Sequence, residues 1–438
     1  MSQANLYSPR FETIPREELG QLQIERLQST LNRVYRNVAF HRAAFDAHRV
    51  NLEKIRDLRS LRNLPFTTKD DLRDSYPYDM FAVPLRDIVR IHSTSAKTGT
   101  PVVVGYTRND LRNWTECTAR LLAAAGVTEH DVVQIALDYS LSAGGFGFHQ
   151  GAEQIGSSVI PASLIAGVEK QIVIMRDFKT TVLVTAPSHA AGIAMGLANL
   201  RIHPEQLHLR LGLLGGERWS EALRRQIEEQ LHILTIDTYG LADILGPGVA
   251  GECPQRHGLH VNEDHYIVEV IDPQTLDPVA EGEEGELVFT TITKEGFPLV
   301  RYRTGDLSSV DPAPCACGRT LARIARVMRR TDDLIQFHGV GFFPSRIEEI
   351  LAEVEGASPH FQIILDRRGG VDTLEIKVEV SDRIPFLDEP KTLGALRAQI
   401  SDRVKAALDI DAKVTFAEPT SLRQVSEGIG RVLDRRPS

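Results

Sequence analysis

The stretch TVLVTAPSHAAGIAMGLANL, residues 181–200, decides the fold class. Its first six residues form a short apolar run rich in β-branched side chains, and residues 188–200 follow with helical patterning. The same alternation continues outward in both directions. LRLGLL (209–214), SEALRRQIEEQL (220–231) and ILTIDT (233–238) come after it, and VVQIAL (132–137) and SSVIPA (157–162) before it. Strands alternating with helices predict an α/β domain with a largely parallel sheet. Further out, DIVRIH (87–92) and VVVGYT (102–107) read as strands flanking a loop, and a helix follows with Leu111, Trp114 and Leu121 on its inner side. Near the start, Leu27, Leu31, Val34 and Val38 recur at helical spacing, which predicts an amphipathic helix packed on the body.

After about residue 260 the pattern changes. YIVEVID (266–272), GELVFTTI (285–292) and LVRYRTGD (299–306) are closely spaced strands and predict a β-rich subdomain at about 260–331. Beyond Asp332 come helix SRIEEILAEV, strands FQIILD and LEIKVEV, a second helix and strand KVTFAE. That order suits a small α+β domain over 332–438, set against a large domain over 1–331. The length agrees: 438 residues at roughly 150 per domain give two or three domains. No internal repeat is present.

Composition narrows the function. With 42% hydrophobic and 25% charged residues the chain buries a sizeable core, which excludes disordered and collagen-like classes. Fifty Lys plus Arg against 59 Asp plus Glu leave a net charge of −9, so neither nucleic acid nor an anionic membrane is an expected partner. Four cysteines exclude a disulfide scaffold. The first residues show nothing like a signal peptide, and apolar runs such as 121–127 fall far short of the ~20 residues that cross a bilayer. A cytoplasmic protein is expected.

Several segments carry chemistry. The hydroxyl-rich loop Ser93 to Pro101, between two expected strands, offers hydroxyls and backbone amides to phosphate oxygens, although it lacks the Walker spacing. Gly215-Gly216-Glu217 ends an apolar strand, where ligands of open α/β sheets collect. Thr238 to Asp243 is expected after the next strand, with an aromatic face and a carboxylate. Tyr302 to Asp306 adds a second carboxylate suited to ribose hydroxyls, and Arg330 to Asp333 stands at the domain junction. Singly, each is an ordinary turn, cap or surface ion pair.

In order and spacing these segments resemble the phenylacetate–coenzyme A ligase family of adenylate-forming enzymes. VVVGYTRNDL, GGFGFHQGAEQIGSSVIP, TYGLADILGPGVAGEC, GEEGELVFTTITKEGFPLVRYRTGDL and DDLIQFHGVGFFPSRIEE carry the resemblance over nearly the whole chain. It implies the adenylate-forming fold, with a mobile C-terminal lid domain, and a two-step reaction using ATP, Mg²⁺ and coenzyme A. A carboxylate attacks the α-phosphate to give an acyl-adenylate, and the coenzyme A thiol then displaces AMP.

The resemblance also assigns residues. Thr94, Ser95, Thr98 and Gly99 belong to the phosphate loop, with Lys97 as a cation within it. Gly216, Glu217 and Thr238 are cofactor-binding positions, with the loop at Gly216 also bordering the acyl pocket, while Tyr239 lies against the adenine, Asp306 holds the ribose and Arg330 faces the nucleotide. Asp243 takes the place of the Mg²⁺-associated acid, Asp332 is the hinge, and Gly339 borders the pantetheine path. Tyr139, Phe146, Phe148 and Trp219 are candidates to line a pocket for a small aromatic acid, with His149 at its border. Oligomeric state stays open, a homodimer included.

Four positions depart from the family pattern. Ala96 replaces a loop glycine, Thr100 the loop lysine, and Asp243 a glutamate, while the C-terminal segment carries Ile429 where a lysine is usual. Loss of a cation aimed at the α-phosphate costs on the order of a hundredfold in rate. The departures converge on adenylation. They define two alternatives: a homologue that binds nucleotide or acyl ligand without efficient adenylation, and an enzyme with a different acceptor.

Three of the four cysteines fall between residues 253 and 317, at either side of the strands of the expected β-rich subdomain. Cys253 with Cys315-Ala316-Cys317 supplies three thiolates, and a nearby histidine would complete a tetrahedral zinc set. His257 and His260 both compete, and family members with this cysteine set carry the histidine in the context of Gly258-Leu259-His260. Such Zn²⁺ would be structural, because four protein ligands leave no open position. Cys117, beside Leu121 on the expected helix, reads as core.

Overall fold

The computed structural model describes residues 5–94, 100–141, 143–338, 340–354, 356–368, 371–380, 390–418, 421–422 and 431–436. The chain divides into two compact units, Met1–Val327 and Met328–Ser438. The division falls just before the expected boundary at 331/332, so Arg330 and Asp332 both belong to the smaller unit.

In the larger unit the elements run α1 (Pro9–Glu12), α2 (Arg16–Asn37), α3 (Ala39–Ala47), α4 (Lys69–Asp74), β1 (Arg90–Ser93), β2 (Val103–Tyr106), α5 (Arg108–Ala125), β3 (Val132–Ala136) and α6 (Gly144–Ile155). They continue with β4 (Ser158–Ile160), α7 (Val168–Asp177), β5 (Val182–Thr185), α8 (Pro187–Leu200), β6 (Leu211–Gly215), α9 (Glu221–Leu231) and β7 (Leu234–Leu241). Then follow β8 (Gly246–Glu252), β9 (Leu259–Val261), β10 (Tyr266–Ile271), β11 (Gly285–Thr291), β12 (Tyr302–Ser308), β13 (Val310–Asp311) and β14 (Arg323–Ile324).

A nine-stranded sheet in the order β13-β14-β9-β8-β7-β6-β5-β3-β4 forms the centre. The expected parallel portion runs from β4 to β7. Beyond β7 the sheet turns antiparallel through β8, β9, β14 and β13. Part of the expected β-rich subdomain therefore completes the central sheet, while β10, β11 and β12 pair antiparallel separately.

Strand side chains alternate between two cores, as the period of two requires. Val182, Val184, Leu211 and Leu213 pack with Leu121, Leu122 and Phe148 of α5 and α6. Leu183 and Leu214 pack with Ile172, Ile193 and Ile227 of α7, α8 and α9. Helix α5 starts at a capping box between Thr107 and Asp110 and ends at Gly126 with φ +94°. Only a residue tolerant of left-handed backbone stops a helix this way without strain. Cys117 is fully buried on α5, in the core as expected, and burial pushes its thiol pKa up.

The smaller unit carries a hairpin (Ile335–Phe337 with Val340–Phe342), helices Pro344–Ala352 and Pro390–Leu408, and a four-stranded sheet. In that sheet Lys413–Ala417, Val371–Val380, Ala357–Arg368 and Val432–Asp434 lie in this order. Ile347, Phe361, Ile363, Ile376, Ile400 and Val404 fill its core. Among the described residues no helix is long and apolar enough to cross a membrane.

One buried group makes the larger unit acid-sensitive. His41 on α3 packs against Phe40 and Phe45, and burial lowers its pKa to about 4. An unfolded histidine titrates near 6.5. Between those values the unfolded state binds more protons, so stability present above pH ~6.5 drains away as pH falls towards 4. Urea unfolding of His41→Leu should lose roughly 3 kcal/mol of this pH dependence between about pH 7 and 4. A variant whose acid limb matches the wild type would refute it.

Candidate functional site

The C-terminal ends of β6 and β7 carry Gly216, Glu217, Thr238 and Tyr239, and Asp243 stands in the turn after β7. Gly215 pairs with Thr238, and a Cβ at 215 would lie 2.2 Å from Thr238 Oγ1, so only glycine fits. Gly216 turns the chain with φ +80° and is exposed. Glu217 is held by Ser188 at the start of α8, whose hydroxyl donates to Oε1 at 2.9 Å and whose amide donates to Oε2 at 3.2 Å.

Thr238 and Tyr239 lie inside β7 rather than after it, because β8 pairs with them and extends the strand to Leu241. Thr238 Oγ1 donates to Leu214 O at 3.2 Å. The Tyr239 ring stacks on Phe289 with centroids 6.2 Å apart, and its hydroxyl donates to Asp306 Oδ2 at 2.6 Å. Asp306 is likewise inside a strand, on β12. The expected adenine platform and ribose acid, 67 residues apart in sequence, are thus direct neighbours.

Asp243 sits buried in the turn after β7. Tyr302 Oη donates to its Oδ2 at 2.8 Å, and Lys69 Nζ lies 3.6 Å from the same oxygen. Its Oδ1 is buried without a hydrogen-bond partner among the described residues. A buried carboxylate oxygen left open costs free energy unless a ligand satisfies it. Sequence reading missed Lys69. Nothing local marks it, since it meets Asp243 only because Thr67 bridges to Tyr302.

Thr94 closes the neck of the hydroxyl-rich loop. Its amide donates to Val102 O at 3.0 Å, and Val102 N donates back to Thr94 Oγ1 at 3.1 Å. Ser95, Ala96, Lys97, Thr98 and Gly99 lie outside the described residues, as do Gly339 and Ile429. In the smaller unit Arg330 and Asp332 pair with each other, Nε to Oδ1 at 2.8 Å and Nη2 to Oδ2 at 3.1 Å.

The four candidate aromatics separate into three environments. Tyr139 and Phe146 meet edge to face at 5.3 Å, and His92 packs on Phe146 at 5.6 Å. His149 joins them, its Nδ1 3.2 Å from Tyr139 Oη. Burial raises the Tyr139 pKa and lowers that of His92. Phe148, two residues along α6, points instead into the core beside Leu121. Trp219 is buried against α8 and α9, with the guanidinium carbons of Arg224 and Arg326 over its ring at 4.8 and 4.7 Å.

Cys253, His260, Cys315 and Cys317 converge, with all ligand atoms within 4.8 Å of one another. Cys253 Sγ and Cys315 Sγ are 3.8 Å apart, and Cys317 Sγ lies 3.5 Å from His260 Nε2. The other ring nitrogen, Nδ1, faces Leu321 O at 3.4 Å. The knuckle turns at Gly318, with φ +91°, and its amide donates to Cys315 O at 2.9 Å. Arg319 Nη1 donates to Cys317 Sγ at 3.6 Å. Of the two competing histidines, His260 is the one in the cluster.

The model of the AMP-binding enzyme family matches residues 21–293, and that of the AMP-binding enzyme C-terminal domain matches 339–436. A phenylacetate-coenzyme A ligase of Thermus thermophilus is 41% identical over 98% of this chain and 100% of its own length. One of Escherichia coli is 41% identical over 97% of each chain. Among solved structures, 2-hydroxyisobutyryl-CoA ligase with R3-HIB-AMP, in its postadenylation state, is 25% identical with a TM-score of 0.89, covering 99% of this chain and 93% of that one. The chain belongs to the phenylacetate-coenzyme A ligase family of AMP-binding enzymes.

Proposed function

We propose that the chain is an ATP-dependent acid–thiol ligase that activates a small aromatic carboxylate, of the phenylacetate type, as its adenylate and transfers the acyl group to coenzyme A. One observation carries the reading. Tyr239 and Asp306 are joined beside the strand ends, with the open carboxylate of Asp243 in the following turn, in a chain 41% identical to two phenylacetate-coenzyme A ligases.

On this reading the adenine stacks on Tyr239 near Gly216, Glu217 and Thr238, and Asp306 accepts from ribose hydroxyls. The Tyr239 hydroxyl keeps the Asp306 carboxylate fixed for that task. The loop from Thr94 through Ser95, Lys97, Thr98 and Gly99 supplies donors to the phosphates. Asp243 would hold Mg²⁺, which supplies charge neutralisation at the phosphates when bound, and its unpartnered Oδ1 fits a cation. Tyr302 and Lys69 hold the other oxygen in place. Tyr139 and Phe146 take the aromatic end of the acid, while Phe148 and Trp219 support the walls as core residues.

The acid's carboxylate oxygen bonds to the α-phosphorus as pyrophosphate leaves. The coenzyme A thiolate, its proton lost to solvent, then bonds to the carbonyl carbon as AMP leaves. In the smaller unit Arg330 is assigned to the nucleotide, Asp332 to the hinge and Gly339 to the pantetheine path.

The cysteine cluster fits a structural Zn²⁺. Two sulfurs on a tetrahedral ion at Zn–S of about 2.3 Å stand roughly 3.8 Å apart, the separation between Cys253 and Cys315. His260, through Nδ1 on Leu321 O, would present Nε2 to the ion. Such a site would pin the ends of β8 and β9 to the knuckle at 315–318.

The test is AMP release from ATP and coenzyme A with a panel of aromatic acids. AMP formed with phenylacetate or a close analogue is expected. No AMP above background with any acid would defeat the proposal, and ATP binding without AMP release would favour the binding-only homologue to which Thr100 and Ile429 point.

A further inference from the structure

The turn that carries Asp243 is held by three side chains from other elements, all through its backbone carbonyls. Lys294 Nζ donates to Ile244 O, Tyr106 Oη to Leu245 O at 2.9 Å, and Trp114 Nε1 to Pro247 O at 2.8 Å. Two of these pins are neutral aromatics. The third is a lysine amine in the protein interior, its pKa lowered to about 7 by burial, 4.6 Å from the centre of the Tyr106 ring and 5.5 Å from that of Phe297.

A hydroxyl or amide donor would satisfy Ile244 O without burying an ionisable amine, whose charged form burial here disfavours. The fold nevertheless builds a mount for this lysine. Asp110, which caps α5, also accepts from Glu295 N at 2.7 Å and Gly296 N at 2.9 Å. The chain around Lys294 is therefore fixed to the same helix start that supports Trp114. Gly296 must be glycine for this approach, since a Cβ there would lie 2.7 Å from Gly105 O. Lys294 bonds the carbonyl immediately after Asp243, and Tyr302 holds the Asp243 side chain from the other direction.

We propose that Lys294 is a positioning residue for adenylation: its bond to Ile244 O sets the orientation in which Asp243 meets Mg²⁺ and ATP. The inference rests on the assignment of Asp243 made above. Carboxylates that hold a metal must be placed within about 0.5 Å, and support by fixed neighbours supplies that accuracy. Lys294 is buried and its described hydrogen bond goes to the backbone of the turn, so its removal should slow the step that uses Asp243 and spare the one that does not.

The experiment measures the two half-reactions separately in the full-length protein, by pyrophosphate exchange and by thioester formation from chemically prepared phenylacetyl-adenylate. Lys294→Met should lower kcat for exchange by about thirtyfold and leave thioester formation within about threefold of wild type. Lys294→Gln, which can still donate to Ile244 O, should recover exchange to within about fivefold. Equal losses in both half-reactions, or unchanged exchange in Lys294→Met, would overturn the proposal. If Lys294→Met does not fold, Lys294→Gln decides alone: a thirtyfold or greater loss in that variant means that the bond is not what matters.

A wild type that forms no adenylate would defeat the proposed function instead. The Lys294 inference is then read by calorimetry. ATP should bind Lys294→Met about fivefold more weakly than wild type with Mg²⁺ present and equally in EDTA. Equal affinity in Mg²⁺ would overturn it.

Discussion

Replacement of Asp243 by Asn should lower acyl-adenylate formation by about two to three orders of magnitude while thioester formation from supplied acyl-adenylate stays within about threefold of wild type. Asn keeps the size of the side chain and an oxygen for the Tyr302 hydroxyl, so the turn should survive. It loses the charge that a divalent ion requires and the attraction to Lys69. The chemical logic is that Oδ1 is buried with no hydrogen-bond partner among the described residues, an arrangement that costs free energy unless a cation satisfies it. Paired assays of the two half-reactions, with thermal unfolding as a control, check it. An Asn variant that adenylates at the wild-type rate would remove Asp243 from the reaction.

The second large effect concerns stability. Zinc analysis of the purified protein should find one ion per chain, and Cys253→Ser should lose it together with on the order of 4 kcal/mol of unfolding free energy. The magnitude separates two pictures of the cluster. If zinc joins the four ligands, removal of Cys253 unties β8 from the knuckle at 315–318, and a chelator should reproduce the loss in the wild type. If these are only reduced thiols packed together, Ser substitution costs about 1 kcal/mol and the chelator does nothing. Adenylation should fall less than stability in either case, since none of the four ligands contacts the Asp243 turn through a described hydrogen bond.

How far these sites were legible depended on distance along the chain. Parallel strands buried on both faces leave continuous apolar runs, so β3, β5, β6 and β7 could be read directly. β8 could not. Its sequence, GPGVAGE, reads as turn-forming, yet it is a central strand whose glycines let α5 approach closely. A Cβ at Gly251 would lie 2.7 Å from Leu121, and one at Gly248 2.9 Å from Thr118. The glycines are a packing requirement, not a turn signal. For the same reason Thr238 and Tyr239 were expected beyond a strand that in fact contains them, because their partner strand was invisible.

The candidate site shows the same division. Glu217, Tyr239, Asp243 and Asp306 stand in short ordered segments and could be named from residue types and family resemblance. Lys69, Tyr106, Trp114 and Lys294 could not, because each acts on the Asp243 turn from a distant part of the chain. Trp219 carried the same aromatic signal as Phe146, and only packing separates them: one ring has two guanidinium groups over it, the other lies against Tyr139 and His92.

By itself the sequence determined that a parallel α/β body would form and that a small α+β domain would follow it. Each of these rests on periodicity or adjacency, which are local and survive in one dimension. The tertiary structure decided that Tyr239 meets Asp306, that His260 and not His257 joins the cysteines, and that a buried lysine holds the turn of Asp243. Those outcomes depend on strand order and on which side chains lie across a packed interface, and neither is written in the spacing of residues along the chain.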